Sequence, residues 1–332
     1  MEPVVSVKNL CKQYTTYKRG DSLRATVKSL FWREKTVVNA VNNVSFDIMP
    51  GEIVGLLGEN GAGKSTTLKM LTGVLFPTSG QINALGYIPY AQRKKYVRHI
   101  GAVFGQKSQL IWDIPPLDSF ALNQAIYEIP NADYKQRLDA MMELLDIREV
   151  VQKPTRNLSL GERMKCEFVM AMLHNPKVVF LDEPTIGIDI IAKEAIRSFI
   201  RKTNAEGTTF ILTTHDLEDI ESLARRVIII NHGECVFGGS LEVLKKYLGD
   251  KKTVRIAMKK PFDDKYLANR EGITLLEQRN EMEIDLLVDN AKIPMNEFIT
   301  YLSHIGDLQD ISIKELGIGA VIKSIYQSSN NG

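Results

Sequence analysis

Short, continuous apolar runs recur between residues 53 and 230. They are Ile53–Leu57, Ile100–Phe104, Val178–Leu181, Thr209–Thr213 and Val227–Ile230. Runs that do not alternate with polar residues are typical of strands in a parallel sheet covered on both faces. Stretches of helical pattern, including 192–204 and 217–225, separate the later runs. This alternation predicts an α/β fold built on a parallel sheet.

The block from about 107 to 172 interrupts that alternation with a helical pattern. Its clearest stripe is Tyr134, Leu138, Met141, Met142 and Leu145, at the spacing of one helix face. The methionines favour core packing over a ligand-binding role. We therefore expect a helical subdomain inserted in the α/β core.

The amino-terminal part combines predicted strands with a basic segment. Val4–Leu10 is predicted as one strand, and Val37–Val41 and Val44–Ile48 as a pair of strands. Within segment 15–36, Leu23, Val27, Leu30 and Phe31 share one helix face, and basic residues outnumber acidic ones. Such a segment suits a membrane surface or a partner's groove, and equally a helix resting on its own domain.

The pattern changes near residue 251. Predicted strands follow at Thr253–Met258, Thr274–Gln278, Glu283–Val288 and Leu308–Ile313, with predicted helices at Pro294–Ile305 and Gly319–Tyr326. We therefore predict two domains, an α/β domain at 1–245 and a small α+β domain at 251–328.

Composition and charge narrow the class of protein. The 332 residues are 44% hydrophobic and 25% charged, which is ordinary for a globular protein, and a net charge of +2 argues against a general nucleic-acid binder. Cys11, Cys166 and Cys235 have no pairing or metal-binding spacing, which suits a reducing compartment. No apolar run approaches the about 18 residues of a membrane helix, and the start of the chain has no signal-peptide pattern. Any role across a membrane is therefore expected to depend on a partner.

The strongest chemical motif follows the first of the apolar runs. The sequence Gly58-Glu59-Asn60-Gly61-Ala62-Gly63-Lys64-Ser65-Thr66 fits the phosphate-binding pattern G-x-x-x-x-G-K-[ST]. Glycines let backbone amides converge on an anion, and the start of the following helix adds the positive end of its dipole. Lys64 adds a charge for the terminal phosphates, and Ser65 offers a hydroxyl to Mg²⁺.

Two adjacent acids, Asp182 and Glu183, end the run Val178–Leu181. Ligands of open parallel sheets bind at the carboxyl ends of the strands, so we expect both acids beside the phosphate loop. Asp182 suits Mg²⁺, and Glu183 suits a general base that activates water.

A third motif, Leu158–Arg163, lies upstream of these acids. Ser159-x-x-Glu162 predicts a capping box at the start of a helix. The free amides and the Ser159 hydroxyl at such a helix start also suit an anion such as a γ-phosphate. The two roles are compatible.

In this order, over residues 4–240, the motifs resemble those of the nucleotide-binding subunit of an ATP-binding cassette (ABC) transporter. The resemblance implies a P-loop NTPase core with an inserted helical subdomain. It implies that Asp182 and Glu183 are the Walker B aspartate and the catalytic glutamate. The implied Walker A contacts to ATP come from Gly58, Asn60, Gly61, Ala62, Gly63, Lys64, Ser65 and Thr66.

The same resemblance gives roles to single residues at the nucleotide. Tyr14 would stack on the adenine, or Tyr17 would do so instead, because segment 15–36 is an insertion that separates Tyr14 from the core. Gln106 would sense Mg²⁺ and the membrane partner, and Ser159, Gly161 and Glu162 would belong to the family signature. Asp189 would lie in the crossing loop, which reaches the other subunit, and His215 would be the switch histidine. The signature usually reads Leu-Ser-Gly-Gly-Gln, and this chain departs from it at Leu160 and Glu162. Ser159 and Gly161, the signature residues expected nearest the γ-phosphate, are kept, so we expect the site to be catalytically active.

The implied mechanism is closure of a dimer on ATP and Mg²⁺. Two copies, or this chain and a close relative, would enclose two ATP molecules, with Lys64, Gln106, Glu183 and His215 acting in hydrolysis. The chain resembles the ABC-2 type exporters, which have a separate transmembrane permease subunit. We therefore expect a peripheral subunit at the cytoplasmic face of the cell membrane, docked through Gln106 and 112–116.

Two alternatives come from other classes. A soluble ABC ATPase acting on ribosomes or DNA usually carries two cassettes or a long coiled coil, whereas this chain has one cassette and no heptad run. A regulatory module that binds ATP without hydrolysis is disfavoured by the intact Asp182-Glu183 pair. No nucleic-acid partner is expected.

Overall fold

The computed structural model describes residues 2–17, 35–105, 107–246, 250–261, 267, 270–315, 319, 321–322 and 325. The chain divides into two compact units, Met1–Gly239 and Ser240–Gly332. The domain limits 1–245 and 251–328 stay a prediction, because compactness alone does not decide where an independently folding domain ends.

The first unit is an α/β structure with two sheets. Its elements in chain order are β1 (Val5–Tyr17), β2 (Lys35–Ile48), β3 (Ile53–Leu57), α1 (Lys64–Leu71), β4 (Ser79–Ala84), α2 (Arg93–Tyr96), β5 (Ile100–Phe104), α3 (Pro116–Tyr127), α4 (Asn131–Leu144), α5 (Leu160–Met172), β6 (Val178–Asp182), α6 (Ile190–Ala205), β7 (Thr209–Thr213), α7 (Leu217–Leu223), β8 (Arg226–Asn231) and β9 (Glu234–Ser240). The larger sheet has six strands in the order β5-β6-β7-β3-β8-β9. The pairs from β5 to β8 are parallel, which confirms the predicted fold.

Burial explains why the strands of the larger sheet are continuous apolar runs in the sequence. Every residue of β3 and of β7 is buried, so neither face of these strands tolerates a polar stripe. Because the strands are parallel, their carboxyl ends meet at one edge of the sheet. That edge carries the loop after β3, Asp182 at the end of β6 and Thr213 at the end of β7.

The smaller sheet is antiparallel, with the order β2-β1-β4. The predicted pair Val37–Val41 and Val44–Ile48 is wrong, because both segments belong to the single strand β2. The register shifts between Leu10–Val44 and Lys12–Val41, so β2 gains one residue around the polar Asn42-Asn43 that separates the two segments. Those two asparagines form a bulge, not a turn. Residues 15–17 and 35–36 extend β1 and β2, whereas the predicted helix face from Leu23 to Phe31 lies outside the described residues.

The block 107–172 contains helices α3, α4 and α5, as predicted for an inserted helical subdomain. On α4 and just after it, Leu138 and Leu145 are buried, and Tyr134, Met141 and Met142 are partly buried. The methionines therefore lie on the packed side of the helix. In the part of the chain that the structure describes, no helix has the length and apolar character to cross a bilayer.

The second unit is a small α+β structure. It contains α8 (Leu241–Lys246), β10 (Lys251–Met258), β11 (Ile273–Gln278), β12 (Glu283–Asp289), α9 (Met295–Ile305) and β13 (Leu308–Glu315). The four strands form an antiparallel sheet in the order β11-β12-β10-β13. Its core joins Ile256 and Leu286 of the sheet to Phe298 and Leu302 of α9. Of the predicted closing helix at 319–326, residues 319, 321, 322 and 325 are described and are helical, and the other four lie outside the described residues.

An ion-pair cluster on this sheet leads to a prediction about pH. Arg255 donates to Asp285 through Nε at 2.8 Å, and Arg279 does so through Nη2 at 3.0 Å. The hydrogen bond from Arg255 is the main cause that lowers the pKa of Asp285. A lowered folded-state pKa adds stability above the unfolded-state pKa of about 3.9, and that stability is lost as pH falls through the folded-state pKa.

We therefore expect the unfolding free energy of the second unit to fall less below about pH 4 in Asp285→Asn than in the wild type. Urea denaturation of the full chain at pH 6, 4 and 3 measures this difference. Glu281→Gln, an exposed acid near the same sheet, is the control. Equal pH slopes for wild type and Asp285→Asn would contradict the assignment.

Candidate functional site

The phosphate loop occupies the turn between β3 and α1, with glycines where a side chain would collide. A Cβ at Gly58 would lie 2.3 Å from the Ile230 carbonyl oxygen, and one at Gly63 would lie 2.3 Å from that of Ala40. Both glycines also have positive φ angles, 157° and 107°. Helix α1 starts at Lys64 with no side-chain cap. Its first amides are thus free of a capping side chain, as an anion site requires.

Lys64 folds back over this loop. Its Nζ donates to the Gly58 carbonyl at 2.8 Å and to the Glu59 carbonyl at 3.0 Å. Burial lowers the pKa of Lys64, and the charges of Glu183 and Asp182 oppose that effect. The ammonium group is therefore placed between the loop and the acid pair.

Asp182 joins the phosphate loop to the neighbouring strands. Its Oδ1 accepts the Ser65 hydroxyl at 2.9 Å and the Thr213 hydroxyl at 2.6 Å. A cavity opens here, lined by Ser65, Lys69, Phe104, Gly105, Lys107, Asp182 and Glu183. A carboxylate and a hydroxyl are hard oxygen ligands, and Mg²⁺ in nucleotide sites takes only one or two carboxylates besides phosphate oxygens. The residues present therefore fit Mg²⁺.

Glu183 adopts a backbone conformation that is unusual for its type. Its φ is +52°, in the left-handed region. Its amide donates to the Thr213 carbonyl at 3.0 Å and lies 3.2 Å from the Thr213 hydroxyl. His215 Nδ1 lies 3.6 Å from Glu183 Oε1, so the two side chains face each other at the mouth of the site. A strained acid held by its neighbours is typical of a functional position.

The signature segment forms the capping box that its spacing predicts. The Glu162 amide donates to the Ser159 hydroxyl at 3.2 Å, and the Ser159 amide donates to Glu162 Oε2 at 2.8 Å. The backbone hydrogen bond from Ser159 is the main cause that lowers the pKa of Glu162. A Cβ at Gly161 would lie 3.1 Å from Asp189 Oδ2, and Asp189 itself caps α6 through the Ala192 amide at 2.9 Å.

The structure thus brings together some predicted site residues and separates others. Lys64, Ser65, Asp182, Glu183 and His215 form one cluster, and Ser159, Gly161, Glu162 and Asp189 belong to another. Of the described residues, those that line the cavity at Asp182 include neither Ser159 nor Tyr14.

Two of the predicted nucleotide contacts, adenine stacking and the contact from Gln106, involve residues beside or within segments that the structure does not describe. Tyr14 is exposed on β1 opposite Val38, with Lys12 Nζ 5.3 Å from its ring centroid. The Tyr17 side chain and Gln106 lie outside the described residues. The choice between Tyr14 and Tyr17, and the role of Gln106, stay predictions.

Sequence reasoning missed Thr213, whose hydroxyl contacts Asp182. The signal was present, because Thr213 ends an apolar run just as Asp182 does. The register pairs Asp182 with Thr213 across β6 and β7. Only the order of strands in the sheet, which no local pattern reveals, makes them neighbours.

The phosphate loop follows one central strand and the acid pair follows another, and a helical insertion lies between them in the chain. This combination defines a cassette-type ATPase. The family model for ABC transporters matches residues 41–186. The ABC transporter ATP-binding protein NatA of Bacillus subtilis is 33% identical over 64% of this chain and 87% of its own length. The bacitracin transport ATP-binding protein BcrA of Bacillus licheniformis is 28% identical over 85% of this chain and 94% of its own length.

Among solved structures, a dimeric ATP-binding cassette in a post-hydrolysis state with ADP and phosphate is 25% identical. It aligns with a TM-score of 0.58 over 71% of this chain and 98% of its own length. The chain belongs to the family of ABC transporter ATP-binding subunits. It is an ATP-binding ATPase, which confirms the resemblance drawn from its motifs.

Proposed function

We propose that this chain is the ATP-hydrolysing subunit of an exporter whose membrane-spanning part is a separate ABC-2 type permease. ATP hydrolysis, the catalytic half of this proposal, is supported by a cluster of five side chains at one edge of the sheet. They are Lys64, Ser65, Asp182, Glu183 and His215. The transport half is supported by NatA and BcrA, which are described as transporter and transport ATP-binding proteins.

In this proposal the loop Gly58–Thr66 binds the phosphates of ATP. Its amides and the Lys64 ammonium neutralise the β- and γ-phosphates, and Ser65 and Asp182 would hold Mg²⁺. The bound ion would supply charge that stabilises the phosphate oxygens during transfer. Tyr14, or Tyr17 in its place, would stack on the adenine.

Hydrolysis is assigned to Glu183 and His215. Glu183 accepts a proton from the attacking water, which then adds in line to the γ-phosphorus as the bond to ADP breaks. In this proposal His215, whose Nδ1 lies 3.6 Å from Glu183 Oε1, would donate a hydrogen bond to the γ-phosphate. Gln106 is the proposed contact to Mg²⁺ and to the permease.

The second half of each site comes from another cassette. The described residues that line the cavity at Asp182 do not include Ser159, Gly161, Glu162 or Asp189. In the proposed dimer these four residues face the partner's nucleotide. Ile190 and Ile191, which follow Asp189, are 84% and 81% exposed. Side chains this apolar and exposed favour burial against another subunit, and the solved cassette described above is itself a dimer.

The permease would bind the helical subdomain, and the chain would then be peripheral at the cytoplasmic face of the cell membrane. Trp112 is 52% exposed, and Ile111, Leu117, Leu122 and Ile126 beside or on α3 are exposed as well. A helix with apolar residues on its outer face as well as its inner one is typical of a helix that a partner covers.

Trp112→Glu tests this docking surface. We expect it to abolish co-purification with the proposed permease subunit, because a buried charge without a partner opposes association. Binding of a fluorescent ATP analogue should stay unchanged. Leu276→Glu, in the second unit, is the matched control, since Leu276 is 51% exposed. Retained co-purification of Trp112→Glu would exclude this surface.

A further inference from the structure

Asp219 is a buried acid that the proposed catalytic roles do not use. It lies on α7 and is 1% exposed. The Thr185 hydroxyl donates to its Oδ2. Arg197 donates to its Oδ1 through Nε at 2.8 Å, and Arg197 Nη2 lies 2.7 Å from the same oxygen. A carboxylate so deeply buried persists only when such partners replace water.

The two partners belong to different segments of the site. Thr185 comes two residues after Glu183, and Asp219 comes four residues after His215. Arg197 lies on α6, the helix that Asp189 caps. Asp219 therefore joins the turn after the proposed base, the helix after the crossing loop and the helix after the switch histidine.

A second ion pair fixes the orientation of the two helices. Lys193 Nζ donates to Asp216 Oδ2 at 2.6 Å. Asp216 caps α7 by accepting from the Glu218 amide at 3.0 Å. Since Lys193 and Arg197 are one helical turn apart, α6 and α7 are joined at two successive levels. Rotation of either helix about its axis would stretch one or both of these pairs.

The turn after Glu183 is anchored at both ends. The Glu183 amide is held by Thr213, and Thr185, which is 3% exposed, is held by Asp219. These anchors keep Glu183 in its left-handed backbone conformation. They also link its position to α7, which begins two residues after His215.

We propose that Thr185 and Asp219 are a positioning pair that sets the separation of Glu183 and His215 and thereby the rate of ATP cleavage. This inference rests on the roles proposed above for Glu183 and His215. The reason for a large effect is geometric, since a displacement of about 1 Å at a reacting group costs on the order of 100-fold in rate. ATP binding depends on the phosphate loop, which this pair does not touch.

Thr185→Val tests the pair, because valine keeps the shape of threonine and removes the hydroxyl. We expect kcat for ATP to fall about tenfold or more, with KM and the affinity for a fluorescent ATP analogue changed by less than about twofold. Thr185→Ser restores the hydroxyl and should restore most of kcat. The melting temperature of each variant is measured alongside.

Thr155→Val is the matched control. Thr155 is fully buried and also donates its hydroxyl to one acceptor, the Ile114 carbonyl, at 2.9 Å. We expect its kcat to stay within about twofold of the wild type. A merely structural role for Thr185 predicts instead that both variants lose stability and that neither loses kcat selectively.

Three results would overturn the inference: a kcat of Thr185→Val within about twofold of the wild type, an equal loss in Thr155→Val, or no recovery in Thr185→Ser. Should valine prevent folding, Thr185→Ala removes the same hydroxyl without placing a methyl group against the Asp219 carboxylate. Glu183→Gln in the same assay separates the two proposals. If that variant keeps full activity, the proposed base is wrong; if it is inactive while Thr185→Val is normal, only the positioning pair is wrong.

Discussion

We expect Glu183→Gln to hydrolyse ATP at least about a hundredfold more slowly than the wild type, the lower end of what a positioned general base contributes. The amide keeps the size of the carboxylate but cannot take the proton of the attacking water. ATP affinity should be retained, because Lys64 and the loop amides are untouched. Steady-state phosphate release measures the first effect, and equilibrium binding of a fluorescent ATP analogue measures the second.

The same variant should also reveal the closed dimer. If ATP closes two cassettes and cleavage reopens them, blocked cleavage leaves the closed form populated. Size-exclusion chromatography with ATP and Mg²⁺ should then shift Glu183→Gln to twice the monomer mass, and ADP should not. Glu149→Gln, an exposed acid outside the site, is the control for loss of one carboxylate. Normal turnover in Glu183→Gln would remove Glu183 from the mechanism.

The parts of the site that sequence predicts are those whose chemistry is local. The phosphate loop occupies nine consecutive residues, from Gly58 to Thr66, so its whole pattern is visible in the sequence. A Cβ at Gly58 or at Gly63 would lie 2.3 Å from a backbone carbonyl oxygen, and Gly61 has a positive φ angle of 85°. The capping box at Ser159 and Glu162 is equally local, since both partners lie on one helical turn. Strands buried on both faces leave a continuous apolar run, so the central sheet was predictable too.

The parts that sequence does not predict depend on contacts between distant segments. Thr213 meets Asp182 only because β6 and β7 are neighbours. Asp219 looks like one more acid near the start of α7 until its contact with Thr185 is seen. The bulge at Asn42-Asn43 imitates a turn, because polar residues that break an apolar pattern are common to both.

The two departures from the usual signature have a structural explanation. Glu162 completes the capping box at the third helical position, a task for which glutamate and glutamine are both suited. The Leu160 side chain lies against Gly187, since a Cβ added at Gly187 would be 3.2 Å from Leu160 Cδ2. The residue after Ser159 thus packs against the segment before Asp189. Both changes leave Ser159 and Gly161 in place, so they are compatible with a signature that binds phosphate.

We expect that two variants that are inactive alone regain ATP turnover when they are paired in one dimer. This is the largest expected effect that depends on two chains. Lys64→Ala removes the phosphate-loop charge. Ser159→Asp keeps a good helix cap and places a negative charge where the partner's γ-phosphate would bind. Each homodimer should lose ATP turnover by about a hundredfold, because each lacks or opposes a contact to the transferring phosphate. Ser159→Asn, which also caps the helix, should lose much less.

A heterodimer of Lys64→Ala with Ser159→Asp, isolated through two different tags, should recover about half of wild-type turnover. Its one intact site joins Lys64 of one chain to Ser159 of the other, as two-fold symmetry requires. The control carries both substitutions on one chain paired with a wild-type chain. That dimer contains the same two changes but no intact site, and it should stay inactive. Equal activity of the two heterodimers would contradict a site built from two copies of this chain, and a relative would then have to supply the second half.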